Sequence, residues 1–178
     1  MSRRNMQQRS LKGRVSFFKE RTISWNHKNN SVRMIDQTLL PTKLSFIDCK
    51  SVDQVVEAIK TLRIRGAPAI GVAGAMGVAL SAINHKAKTK KELVREIEPD
   101  CLALKSARPT AINLAWGVDK ALEHLHSLPD DSDIHTLRRD LVAFVESLAD
   151  LDVETNKKLS EHGESLFKTG ESVLTHCK

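Results

Sequence analysis

Two arginines stand directly before proline-containing runs that lead into helical sequence. They are Arg65, in the Arg-Gly-Ala-Pro run 65–68, and Arg108, in the Arg-Pro-Thr run 108–110. A helix start has N–H groups without intrahelical acceptors and a partial positive charge, so it attracts anions. A guanidinium group adds donors suited to two-point contact with phosphate. The pattern indicates a phosphate site, with these candidate residues: Arg65, Gly66, Ala67 and Arg108.

A structural interpretation of the same residues stays open at this point. Each arginine could pair with a nearby carboxylate, and each proline could simply begin a helix. A shared phosphate site requires the two helix starts to converge, which the spacing along the chain does not show. Asp36 and Gln37 have a similar ambiguity, since they could form a turn or a functional pair, and the turn is favoured. Trp25 and Trp116 are expected in the core or at an interface.

Cys177 follows a short β-prone run, 172–175. Ligands of open α/β sheets bind at the carboxyl ends of strands, where a thiol of lowered pKa can transfer protons. A lone cysteine is more often a small apolar filler, and the residues alone favour that alternative. His176 points to the opposite face of a strand from its neighbour, so no Cys-His pair is implied. The histidines are scattered, and we expect no metal site.

The elements that must position these residues are mostly helices. Short alternating stretches predict a hairpin over 22–35 and a third strand over 44–47. Capping boxes at Ser51 and Thr89 mark two helix starts, and Pro68 and Pro109 mark two more. The expected helices cover 52–62, 68–82, 89–105, 110–126 and 137–167. Glycines 71, 74 and 77 lower helix propensity in the second helix, so we expect a close backbone approach there. The expected fold class is α+β, mostly α, with a small antiparallel sheet and a helical bundle.

The charge of the chain is concentrated at its amino terminus. Residues 1–21 hold seven Lys or Arg and one acid, whereas residues 22–178 balance at 21 basic and 21 acidic residues. A disordered basic tail over 1–20 is expected, and we do not expect a nucleic-acid partner. No apolar run predicts a membrane partner, since the stretch 66–83 is typical of a buried helix. Three widely spaced cysteines without a CxxC pair favour a cytoplasmic location.

Taken together and in order, these segments resemble the methylthioribose-1-phosphate isomerase family. The resemblance covers about residues 21–178. It is carried by the runs 21–25 (RTISW), 35–41 (IDQTLLP), 64–71 (IRGAPAIG), 106–114 (SARPTAINL), 161–163 (EHG) and 173–177 (VLTHC). The same superfamily includes ribose-1,5-bisphosphate isomerases and regulatory subunits of the guanine-nucleotide exchange factor of translation initiation. The unbroken runs at 36–41 and 65–71 resemble the methylthioribose branch more closely.

The resemblance implies an aldose–ketose isomerase that acts on a sugar phosphate without metal or organic cofactor. Arg65, Gly66, Ala67 and Arg108 would hold the phosphate, and Cys177 would be the catalytic cysteine. Its acid–base partner would be an aspartate of a second, Rossmann-like domain, of which residues 169–178 would be the beginning after a first domain over 21–168. Lys178 stands where the family usually has asparagine. We therefore expect an incomplete, inactive chain, with a homodimer for the full-length protein. The alternatives are a non-catalytic regulatory module and a ribose-1,5-bisphosphate isomerase.

Overall fold

Three short antiparallel strands form a sheet at the start of the computed structural model, which describes residues 21–174. The strands are β1 (Ile23–Asn26), β2 (Ser31–Ile35) and β3 (Phe46–Cys49), in the order β1-β2-β3. The hairpin is confirmed, with Trp25 opposite Val32, and Trp25 is buried as expected. The third strand begins two residues later than predicted, because Phe46 pairs with Ile35, where β2 ends. Leu44 is left outside the sheet and is 40% exposed.

Five helices follow and confirm the predicted α+β, mostly α fold. They are α1 (Val52–Lys60), α2 (Ala67–Asn84), α3 (Lys90–Ser106), α4 (Ile112–Ser127) and α5 (Ile134–Glu164). Ser51 and Thr89 cap α1 and α3 as predicted, since each side chain accepts the N–H of the residue three positions later. Leu62, expected on the apolar face of α1, is 42% exposed and has φ of 64°, because the helix already ends at Lys60.

The central element is α2, which packs against all four other helices. Thirteen of its 18 residues are buried. By length and composition α2 could cross a membrane, but 72% of the apolar window is buried within the fold, as in the central helix of a folded domain. The predicted close approach is found at Gly71, where an added Cβ would lie 2.9 Å from the Asn113 carbonyl oxygen. On the facing helix, a Cβ at Gly117 would lie 2.0 Å from the Gly71 carbonyl oxygen.

Two further helices, α4 and α5, differ at their ends from the sequence prediction. Helix α4 begins at Ile112, so Pro109 belongs to the turn between α3 and α4 rather than to a first helical turn. Helix α5 runs from Ile134 to Glu164, so it begins and ends three residues earlier than the predicted 137–167. Residues 171–174 have no regular structure. The predicted tail over 1–20 and the end of the predicted strand at 172–175 lie outside the described residues, and the domain boundary at residue 168 stays a prediction.

One contact between α4 and α5 contains a half-buried histidine. The His124 imidazole stacks on Phe144, with 4.0 Å between ring centroids and 3° between ring planes. Its Nε2 is buried, without a hydrogen-bond partner in the part of the chain that the structure describes. Burial lowers the pKa of His124 below its ordinary value of 6.5, against the opposing effect of Asp140. The contact therefore favours the neutral ring.

We expect the free energy of unfolding to fall as the pH drops below about 6.5, the ordinary value for histidine. A lowered pKa in the folded state means that the unfolded chain binds the proton more tightly, so protonation favours unfolding. The loss grows until the pH reaches the lower pKa of the folded state and then levels off. Urea unfolding at pH 7.5 and at pH 5 measures this loss in the free energy of unfolding. His124→Phe should reduce the difference between the two pH values, whereas the control His135→Phe, at an exposed position, should not.

Candidate functional site

The two helix starts singled out by the sequence are the two that lack side-chain caps. Ser51, Thr89 and Asp133 cap α1, α3 and α5, but no side chain caps α2 or α4. In α2 the first backbone hydrogen bond runs from the Ile70 N–H to the Gly66 carbonyl oxygen (2.9 Å). The amides before it have no intrahelical acceptor. At these two starts no side chain accepts a hydrogen bond from the first backbone N–H groups. At each of the other three starts the capping side chain accepts one of these N–H groups.

Gly66 gives the turn before α2 its shape. Its φ of 92° and ψ of 127° lie in a region that side-chain-bearing residues rarely adopt. A Cβ at this position would meet nothing within 4 Å, so the conformation, and not crowding, requires glycine. Arg65, Gly66 and Ala67 are all exposed. The turn therefore presents backbone amides and one guanidinium group to open space.

Neither arginine of the candidate site is engaged by a carboxylate of the described residues. Among residues 21–174 the ion pairs of arginine involve Arg21, Arg33 and Arg63, but not Arg65 or Arg108. No hydrogen bond of the Arg65 or Arg108 side chain is found in this part of the chain either. The alternative that each arginine pairs with a nearby acid is wrong for the described residues. Within residues 21–174, both guanidinium groups therefore lack a carboxylate partner.

The contact between α2 and α4 brings the two starts close together. Gly71 and Gly117 touch four and five residues into their helices, which is about 6 and 8 Å along the axes at a rise of 1.5 Å per residue. Asn113, the second residue of α4, also contacts Gly71. Both helix starts thus lie within about one and a half turns of one crossing point. The glycines at 71 and 117 therefore permit a close helix crossing near both starts.

A second group of residues, which sequence reasoning did not assign to the site, supports the Arg65–Gly66 turn. Asp36 is buried and pairs with Arg63, and the Gln37 side chain donates to the Arg65 carbonyl oxygen (3.3 Å). Asp36 also caps a 3-10 turn over Gln37–Leu39, so the turn interpretation holds for this segment. No local sequence signal pointed to this group, because Asp36 and Arg63 are 27 positions apart in the chain.

The cysteines within the described residues are not suited to proton transfer. Cys49 and Cys101 are buried free thiols. Burial is the main cause that raises their pKa values, to about 11 and about 12. At neutral pH both are protonated and shielded from solvent. Cys177 lies outside the described residues, and its role stays a prediction.

Three of the four candidate residues, Arg65, Gly66 and Ala67, are exposed, and Arg108 is half-buried. Two pockets of about 260 and 360 Å³ lie elsewhere, one between α3 and α4 and one between β1 and α5, and the four candidate residues line neither. At the start of α4, Ile112 and Trp116 are 81% and 47% exposed, so Trp116 is not a core residue. Apolar side chains one turn apart beside free amides suit a surface that another segment or ligand covers.

Comparison with known proteins identifies the class. Residues 63–178 match the Initiation factor 2 subunit family, and the chain belongs to this family. The assignment agrees with the resemblance seen in the sequence. The match begins at Arg63 and includes both candidate helix starts.

Particular relatives are named as isomerases. The chain is 40% identical over 157 residues to a methylthioribose-1-phosphate isomerase of Geotalea daltonii, which covers 88% of the chain and 44% of that protein. A Methanosarcina acetivorans protein, provisionally given the same name, is 45% identical over 157 residues, with the same coverage. The chain thus spans less than half the length of these relatives.

Two solved structures share the fold. The 5-methylthioribose 1-phosphate isomerase of Pyrococcus horikoshii superposes with a TM-score of 0.76 at 37% identity, over 83% of this chain and 40% of that one. The delta subunit of translation initiation factor eIF-2B from A. fulgidus gives a TM-score of 0.76 at 36% identity, over 85% and 43%. The fold is therefore shared by a protein named as an isomerase and by a protein named as an initiation-factor subunit.

Proposed function

We propose that this chain forms the phosphate-binding part of a sugar-phosphate aldose–ketose isomerase. The observation that carries the proposal is the pair of uncapped helix starts near one helix crossing, each preceded by an arginine that has no carboxylate partner among residues 21–174. The names of the relatives suggest the substrate, 5-methylthioribose 1-phosphate, and the product, 5-methylthioribulose 1-phosphate. The reaction would belong to methionine salvage.

The residues of this chain would bind and orient the phosphate. The amides of Gly66 and Ala67 would donate to phosphate oxygens, and the guanidinium groups of Arg65 and Arg108 would supply charge-assisted hydrogen bonds. Anchoring a non-reacting phosphate fixes the sugar so that an acid and a base can reach C1 and C2. Moving hydrogen from C2 to C1 requires both groups. Cys177 is the proposed member of that pair within this sequence.

We expect Arg65→Ala and Arg108→Ala each to weaken binding of methylthioribose 1-phosphate by about tenfold or more, since a charge-assisted hydrogen bond contributes roughly 1.5–3 kcal/mol. Calorimetric titration measures the affinity, and thermal unfolding is followed in parallel. The melting temperature should hardly change, because neither side chain has an intramolecular partner among the described residues. Arg95→Ala, on an exposed face of α3, is the matched control and should bind like the unchanged chain.

The second candidate function is a non-catalytic regulatory module. The similarity to the eIF-2B delta subunit favours it. Such a module needs no sugar-phosphate site. If the unchanged chain fails to bind methylthioribose 1-phosphate, or if the two arginine variants lose melting temperature with unchanged affinity, this second function is supported instead.

A further inference from the structure

We propose that Asp36, Gln37 and Arg63 are positioning residues for the anion site, which hold the Arg65–Gly66 turn in its binding conformation. This inference rests on the proposed function, since it concerns the same site. The three residues lie in two segments, on either side of β3 and α1 in the chain. In the fold the two segments contact each other next to the Arg65–Gly66 turn.

Asp36 is held in place by hydrogen bonds from Thr38 and Arg63. It is 3% exposed. One carboxylate oxygen accepts the Thr38 N–H (3.1 Å) and the Thr38 hydroxyl (2.5 Å), and the other accepts an N–H of Arg63 (2.5 Å). Hydrogen bonds from Thr38, followed by the Arg63 guanidinium, lower the pKa of Asp36 below its ordinary value, against the effect of burial. The carboxylate is therefore ionised throughout the physiological range.

Arg63 is held from two sides. Its Nε donates to both carboxylate oxygens of Glu57 (3.1 and 3.2 Å), while its Nη1 reaches Asp36. Its backbone N–H donates to the Ala58 carbonyl oxygen (2.9 Å) at the end of α1. The guanidinium thus joins α1 to the segment after β2. This fixes the chain two residues before the candidate phosphate ligand Arg65.

Gln37 makes the direct contacts with the turn. Its backbone N–H donates to the Arg63 carbonyl oxygen (2.9 Å), and its side-chain amide donates to the Arg65 carbonyl oxygen (3.3 Å). Between these two points Ile64 is fully buried. Hydrogen bonds or burial therefore fix each of residues 63–65, the three residues that precede Gly66. The Arg65 carbonyl belongs to the peptide group that also carries the Gly66 N–H.

This arrangement matters because glycine can adopt the observed φ of 92° but populates negative φ values about as readily. Without bonds on the preceding carbonyls, Gly66 would populate other conformations, in which the Gly66 and Ala67 amides point in different directions. The apparent affinity for an anion falls by the fraction of molecules that are competent to bind. Pre-ordering by Gln37 and the Asp36–Arg63 pair keeps that fraction high.

The test measures the affinity of the full 178-residue chain for inorganic phosphate, together with its melting temperature. Gln37→Met keeps the side-chain length but removes the donor to Arg65, and should raise the dissociation constant about fivefold, the effect of one lost hydrogen bond. Asp36→Asn should raise it at least as much and also lower the melting temperature, since an amide replaces the charge that faces Arg63. Gln54→Met is the matched control on α1, and should leave the affinity unchanged.

The outcomes separate this inference from the proposed function. Weaker binding by Gln37→Met at an unchanged melting temperature supports the positioning role. If the unchanged chain binds phosphate and both variants bind it equally well, these residues only stabilise the fold. The positioning role is then wrong, while the proposed function is unaffected. If the unchanged chain binds no phosphate, the proposed anion site is wrong and this inference falls with it.

Discussion

Replacing Gly117 by alanine is expected to destabilise the fold by about 3 kcal/mol or more, at the upper end of what overpacking costs in a close-packed core. The added Cβ would lie 2.0 Å from the Gly71 carbonyl oxygen and 2.7 Å from its carbon. Both atoms belong to backbone, so no side chain can rotate away. Helices α2 and α4 would have to separate, which would loosen the packing of the most buried helix in the described structure.

Urea unfolding checks this prediction, and Gly163→Ala serves as its control. Gly163 lies in α5 with nothing within 4 Å of an added Cβ. Alanine there should stabilise the helix slightly, by up to about 1 kcal/mol. A Gly117→Ala variant that unfolds at the same urea concentration as the unchanged chain would contradict the close crossing. It would also remove the contact that lies near both candidate helix starts.

The second large effect is expected at Cys177 and concerns turnover. The 178-residue chain alone should show no measurable isomerase activity, because the family resemblance places the acid–base partner in a second domain. Joining the chain to the remaining part of the Geotalea daltonii relative, to which it is 40% identical and of which it covers 44%, would extend it to the length of a protein named as an isomerase. In such a chimera Cys177→Ser should lower turnover by about 10²-fold or more, the usual scale for losing a positioned acid–base group.

The matched control for the chimera is Cys101→Ala. Cys101 is 3% exposed, and its pKa is raised to about 12, so its removal should affect stability and leave turnover within about twofold at temperatures where the protein is folded. Substrate affinity should change little in Cys177→Ser. Robust turnover by the 178-residue chain alone, or a fully active Cys177→Ser chimera, would contradict the assignment of Cys177.

The sequence predicted the elements that local chemistry determines. Ser51 and Thr89 are strong caps, and the helices they begin were predicted within one or two residues. The hairpin over β1 and β2 followed from alternation around a polar turn. Gly71 signalled a close helix contact because glycine inside a helix lowers stability unless packing requires it.

What the sequence could not predict depends on contacts between distant segments. The start of β3 is set by its register with β2 and not by its own pattern. Pro109 suggested a helix start, but the Ala111 N–H donates to the Arg108 carbonyl oxygen (2.9 Å) and the helix begins after that turn. The Asp36–Arg63 pair joins residues 27 positions apart. No local signal distinguishes Arg63, which is paired, from Arg65, which has no ion pair among residues 21–174.

The most direct test of the account is to locate a bound phosphate on the chain by amide NMR during a titration with inorganic phosphate. The account predicts that the amide signals of Gly66 and Ala67, at the start of α2, shift together with those of Ile112 and Asn113, at the start of α4. All four should follow one dissociation constant, and Arg65→Ala and Arg108→Ala should each weaken it. Shifts confined to one helix start, or to the capped starts at Ser51 and Thr89, would contradict a single anion site formed by the two arginine-preceded helices.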